Sequence, residues 1–353
     1  MRFLLLLSSL LLTLHTIAGI AQNASKAPAA CTPCHAQALS QPDTYMAHAL
    51  EKVETSRVLS EHPLLQTTVG AYSYRIERKD DQSQYTVTNG SETLTLPVRW
   101  AMGADLAIGQ TYILERDGEL YESRVSWFRE LNSLGPTLGS AGSTPANLAE
   151  AAGRLLSHED KVRCFGCHST DAASGKHLTL EQLTPGVQCQ NCHSATDAHL
   201  AAMLRKSEGP LIPVGLKNLG NLSAEQAANF CGNCHRTWEE IARQRNPGIG
   251  NVRFQPYRLT SSKCYDPDDK RISCLACHDP HQQTNSTLTD YDVKCQACHS
   301  NIKSQAKAGA KLCPVKNSEC VSCHMPRLEL PGAHFKFMDH RIRVVKPNEP
   351  YPG

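Results

Sequence analysis

Seven times in this chain two cysteines stand with two residues between them and a histidine directly after the second. The copies are CTPCH (Cys31, Cys34, His35), CFGCH (Cys164, Cys167, His168), CQNCH (Cys189, Cys192, His193), CGNCH (Cys231, Cys234, His235), CLACH (Cys274, Cys277, His278), CQACH (Cys295, Cys298, His299) and CVSCH (Cys320, Cys323, His324). They consume fourteen of the 16 cysteines in 353 residues. A disulfide framework does not explain so regular a spacing. Zinc sites or redox dithiols give no reason for a histidine after every pair.

C-x-x-C-H is the spacing of covalent haem attachment. Two thiols so placed can each form a thioether to one vinyl group of a single haem, and the adjacent histidine meets the iron from the proximal face. The repeat predicts seven covalent haem c groups, with the seven motif histidines as proximal ligands. Of 16 histidines, His15 lies in the leader described below, and His48, His62, His158, His177, His199, His281, His334 and His340 remain for the distal faces. Eight candidates for seven positions leave at least one spare. Imidazole on both faces would hold each iron six-coordinate at comparatively low potential. His199 and His281 follow their own motif histidines too closely to cap the same haem and are placed to reach a neighbour's; His334 and His340 follow the last motif. Cys264 and Cys313 fall outside the pattern, and an exported chain is expected to join such a pair.

Residues 1–21 read as a cleavable export signal: Arg2, an apolar run from Phe3 to Leu14, and small residues at Gly19-Ile20-Ala21. The expected location is the periplasm, with the outer surface as an extension of the same route. No other apolar run approaches a bilayer span, so an integral membrane protein is not expected. Lys and Arg number 36 against 34 Asp and Glu, which gives no electrostatic reason for nucleic acid as a partner. Loss of Arg2 and gain of two propionates per haem would carry the formal charge to about −13, which suits redox partners with a basic docking face.

Residues 22–68 form a first-haem segment of helical character. In 69–131 Tyr72, Tyr74 and Ile76 alternate with polar residues, as do Tyr85 and Val87, and Leu94, Leu96 and Val98; Asn89-Gly90 and Asp117-Gly118 mark turns. This predicts a small antiparallel β-hairpin region. Residues 132–150 are a linker by composition, 151–345 a six-haem domain and 346–353 a tail. Six motifs between Cys164 and His324 are too dense for each haem to have a private apolar core, so haems must pack on one another. The expected fold is mainly α and irregular, short helices around stacked haems, with the hairpins near the N-terminus.

The chain resembles bacterial multihaem cytochromes with cytochrome c-552/4-type and doubled-CXXCH domains, distantly akin to hydroxylamine oxidoreductase and the tetrahaem cytochrome that accepts its electrons. CQNCHSATDAH (Cys189 to His199), SKCYDPDDKRISCLACHDPH (Ser262 to His281) and CVSCHMP with the later MDHRI (Met338 to Ile342) carry the resemblance, which spans about 160–345. It implies that His199, His281 and His340 are distal ligands to haems other than those of their own motifs. The group contains carriers and enzymes. The favoured reading is an electron carrier between a redox protein donor and acceptor, or a quinol-linked membrane complex, with no catalytic residue. The alternative is an oxidoreductase of a small nitrogen or sulfur compound at one five-coordinate haem.

Overall fold

The computed structural model describes residues 27–103, 108–194, 196–204, 218–244, 248–299, 313, 318–346, 349 and 351. The expected leader lies outside them. Alternation of buried and exposed side chains builds a sheet much larger than two hairpins. Its strands are β1 (Leu50–Lys52), β2 (Leu64–Val69), β3 (Tyr72–Lys79), β4 (Gln82–Thr88), β5 (Thr93–Met102), β6 (Gly109–Arg116), β7 (Glu119–Phe128), β8 (Ser133–Pro136) and β9 (Gly153–Leu155). β2 to β8 pair in sequence order, all antiparallel, while β1 adds to β5 and β9 to β7. β8 returns against β2, so the sheet nearly closes on itself. Asp117 and Gly118, both at positive φ (53° and 81°), make the β6–β7 turn, the conformation that matches strand twist.

This corrects the expectation of a mainly α and irregular fold with a small hairpin region: the first half of the chain is a nine-stranded antiparallel sheet. The physical reason is a core that needs no cofactor. Tyr74, Ile76, Tyr85, Val87, Leu96, Val98, Tyr112, Leu114, Val125 and Trp127 turn inward from successive strands and are buried together with Val58, Leu59 and Ala151. Every second residue of each strand is thereby used, as the pleat requires.

A second apolar cluster, Leu50, Met102, Ile113, Leu120, Leu156, Phe165, Ala172 and Leu183, ties the sheet to the helix His158–His168. Ser157 opens that helix with a reciprocal cap to Asp160, and Ser223 opens the helix Ala224–His235 in the same way with Gln226. Beyond residue 184 the apolar clusters among the described residues shrink to one, Val252, Leu330, Ala333 and Phe337. The side-chain core thins where the motifs crowd. Gly186 closes the seam between the halves: its φ is +72°, a Cβ there would strike the Ala47 carbonyl, and Val187 N–H donates to Met46.

Candidate haem-attachment sites

Each described motif lies on one turn of helix or at the end of one, at Ala27–Cys31, His158–His168, Cys189–Cys192, Ala224–His235, Cys274–Cys277, Asp292–His299 and Cys320–His324. Backbone N–H groups of His35, His193 and His278 donate to the carbonyls of Cys31, Cys189 and Cys274 at 2.9, 2.8 and 2.9 Å. A single turn thus gathers both sulfurs and the imidazole of a motif on one side. No two of the 16 cysteines are joined by a disulfide. Cys264 and Cys313 are both exposed and are not joined, which corrects the expected disulfide; Cys264 sits instead within electrostatic reach of Cys295 and Cys298. Burial holds the Cys164 thiol up at about 11, and burial with its neighbours Asp292 and Cys295 pushes Cys320 up to about 12.

Thiols of different motifs touch. The Cys31 side chain hydrogen-bonds to Cys189, Cys167 to Cys234, Cys231 to Cys274 and Cys295 to Cys320. Cys192 lies close enough to Cys231 and Cys234, and Cys277 to Cys295, for their charged forms to repel. These contacts run from the first motif to the third, from the third to the fourth, and from the fourth to both the second and the fifth, then through the sixth to the seventh. All seven motifs belong to one branched series, and the fourth is its junction.

Three motif histidines face a second histidine. Ring centroids of His35 and His199 are 6.1 Å apart, those of His193 and His281 6.1 Å, and those of His278 and His340 6.2 Å. A metal–imidazole bond of about 2 Å on each side of one iron, plus the half-width of each ring, separates two axial imidazoles by about 6 Å. The donor pairs therefore fit a six-coordinate haem iron between them. The second nitrogen of several rings is anchored: Nδ1 of His168 on the Ala49 carbonyl (2.9 Å), of His324 on Arg343 (2.9 Å), of His340 on Met338 (3.1 Å), and of His281 on the Asp279 carboxylate (3.0 Å). Such bonds leave Nε2 as the nitrogen that could ligate a metal. Burial lowers the pKa of His168, His235 and His278, and drives His340 down to about 4, assisted by His278; all four are neutral imidazoles at pH 7.

The other distal candidates lie elsewhere. His62 packs on Trp127 (5.8 Å) and His334 on Phe128 (4.9 Å), both against the sheet. His158 meets the Lys176 carbonyl through Nε2 (2.9 Å), and His177 is exposed in a two-residue strand paired with Ala173–Ser174. His48 Nδ1 contacts Glu51 (3.0 Å), a carboxylate also held by Gln110 Nε2 (2.9 Å), whose Oε1 accepts from Ser56 (2.9 Å). Among the described residues no histidine ring is stacked against His168, His235, His299 or His324.

Two features had no signal in the sequence. Arg258 and Arg343 share the Asp339 carboxylate, and Ser262 links the His340 carbonyl (3.1 Å) to the Ile342 N–H (2.8 Å); together they fix the segment that carries His340. Arg258 and Asp339 are 81 residues apart, and nothing local pairs them.

Residues 138–194, which contain the second and third motifs, match the family of cytochrome c554 and c-prime. The match supports a c-type cytochrome with covalently bound haem c and a haem-based electron-transfer role. No curated protein and no solved structure matches the chain. No helix among the described residues is long and apolar enough to cross a membrane.

Proposed function

We propose that the chain carries seven haems c, one on each motif, is exported to the periplasm, and conducts electrons between a redox protein donor and acceptor or from a quinol-linked membrane complex. The observation that carries this reading is the series of sulfur hydrogen bonds and close electrostatic approaches that links the motifs from Cys31 to Cys320. Haem iron, when bound, supplies one-electron chemistry. The fourteen motif cysteines would hold the groups covalently, and because neighbouring motifs share sulfur contacts, the groups would be held in contact too.

His35 with His199, His193 with His281, and His278 with His340 would grip three irons from both sides. The remaining motif histidines, His168, His235, His299 and His324, would draw their second ligands from His48, His62, His158, His177 and His334, with one spare. Nδ1 bonds to backbone carbonyls fix the ring planes of His168, His324 and His340 and keep the ligating nitrogen unprotonated. Rigid neutral ligands on both faces change little between oxidation states, which keeps the reorganisation on electron transfer small.

Intact mass and low-temperature electron paramagnetic resonance on the same periplasmically matured sample test the proposal. Seven added haems and only low-spin ferric signals are expected. A high-spin signal near one haem in seven, together with carbon monoxide binding after reduction, would redirect the function to a substrate at an open iron.

A further inference from the structure

Charges do not balance where the second and fourth motifs meet. Arg163, on the helix His158–His168, pairs with Glu240 at 3.1 Å, and Arg236, directly after His235, pairs with the same carboxylate. Across the Phe254 ring stands Arg253; the guanidinium carbons of Arg236 and Arg253 lie 6.0 and 5.0 Å from its centroid. Arg253 makes no hydrogen bond or ion pair among the described residues, and its Nε is buried. Two guanidiniums share one carboxylate, and the third, on the same Phe254 ring, has no ion-pair partner among the described residues, an excess of two positive charges. Arg253 is only partly withdrawn from water, but a buried guanidinium N–H without an acceptor is costly, and an anion from outside the polypeptide would supply the acceptor its Nε lacks.

Position says which anion. Gln255, two residues from Arg253, bonds to His235. Glu240 and Arg163 lie within electrostatic reach of Cys167, which touches Cys234. The cluster therefore borders the haem expected on Cys231 and Cys234, and the two propionates of one haem match the excess in number and sign. Planar guanidinium meets carboxylate in a two-pronged fit that ammonium cannot make. We propose that Arg253, with Arg163 and Arg236, is the receptor for the propionates of the fourth haem, and that it raises the potential of that haem by favouring the less positive iron. The proposal rests on the seven-haem reading. Its consequence lies in the place of the fourth motif, which adjoins the second, third and fifth: the cluster would make the junction a more favourable resting point for an electron crossing between branches than the same haem without it.

The test is a redox titration of the holoprotein followed by electron paramagnetic resonance, with haem counted on each sample. Arg253→Gln should retain seven haems and move one midpoint to lower potential. Arg253→Lys, which restores the charge without the fork, should recover part of the shift, and Glu240→Gln should move the same midpoint upward. If Arg253→Gln fails to mature, Arg253→Lys and Glu240→Gln still decide. Midpoints unmoved in the variants that mature overturn the proposal. So does a shift of the wild-type midpoint by added inorganic phosphate that Arg253→Gln abolishes, because a free anion would then be the occupant. A wild-type haem count below seven would instead overturn the seven-haem reading, and it is read independently of any shift.

Discussion

Replacing Asp339 by asparagine removes the one negative charge shared by two buried guanidiniums. Arg258 reaches Asp339 through Nε (2.8 Å) and Nη2 (3.1 Å), and Arg343 through Nη1 (2.7 Å). The side chains of Arg258, Asp339 and Arg343 are 1%, 0% and 9% exposed. Breaking a buried ion pair from one side costs about 3–5 kcal/mol because the surviving charge stays out of water without its counter-charge. Asparagine keeps one acceptor oxygen, which places the expected loss near the lower end, about 3 kcal/mol, or roughly a hundredfold in the local opening equilibrium. Asp339 also accepts from the Arg341 N–H at 3.1 Å, so the same change loosens the segment that sets His340 opposite His278. The expected result is a lowered guanidinium midpoint and a new high-spin signal near one haem in seven, with all haems still attached. Pairing Asp339→Leu with Arg258→Met should recover part of the stability, since apolar replacement of a buried pair is often neutral, although Arg343 is left with the Arg341 carbonyl at 3.0 Å and Glu349 at 3.8 Å. A loss below about 1 kcal/mol for Asp339→Asn, with no high-spin signal, would refute the reasoning.

Further outcomes follow from single contacts. His281→Ala should convert the haem of His193 to high spin without detaching it; an unchanged spectrum removes His281 from the ligand set. Ser157→Ala should cost about 1 kcal/mol in denaturant titration by removing the cap of the second-motif helix. Burial alone would raise the Asp160 carboxyl, but the Ser157 hydroxyl and the Arg154 guanidinium outweigh it and hold it below its usual 3.8. That contribution is therefore full above pH 3.8 and lost as pH falls through the depressed value, so wild type and Ser157→Ala should converge in strong acid. Gly186→Ala imposes left-handed strain of about 1–2 kcal/mol besides the collision with Ala47, and a melting temperature equal to wild type would show that the seam is adaptable.

The motifs are legible because haem attachment needs five consecutive residues, and local chemistry survives in sequence. The facing pairs His35–His199, His193–His281 and His278–His340 join residues far apart in the chain; spacing and resemblance both pointed to their distal members, and neither said which motif histidine each would face. Strands β3 to β7 announce themselves by alternation. β1 and β9 are three residues long, and β8 is Ser-Leu-Gly-Pro within a stretch rich in loop formers, so no window of sequence reveals them. Closure of the sheet depends on β8 meeting β2, a non-local event that decides between a pair of hairpins and a nearly closed sheet. The Arg253 cluster escapes for a related reason: its imbalance exists only once Arg163, Arg236 and Glu240 have been brought together.

The two halves draw their stability from different sources, and this can be separated experimentally. Eighteen buried residues between Val53 and Ala152 form the core inside the sheet, with no cofactor required. Past residue 184 the clustered core among the described residues is Val252, Leu330, Ala333 and Phe337, and the described intervals between motifs are mostly short helices and turns. Helices of four to twelve residues are marginal in isolation and take their stability from an apolar partner. In the second half that partner must be largely the porphyrin faces. Chain expressed in the cytoplasm, where no haem is attached, should therefore keep an ordered sheet over about residues 50–155 and lose order beyond the third motif. Limited proteolysis should leave a protected fragment containing β1 to β9, with strand-rich circular dichroism, and digest residues after Cys189. Equal protection of the 224–299 region in the haem-free chain would mean that the helices around the junction pack on themselves, and that haem is cargo there instead of core.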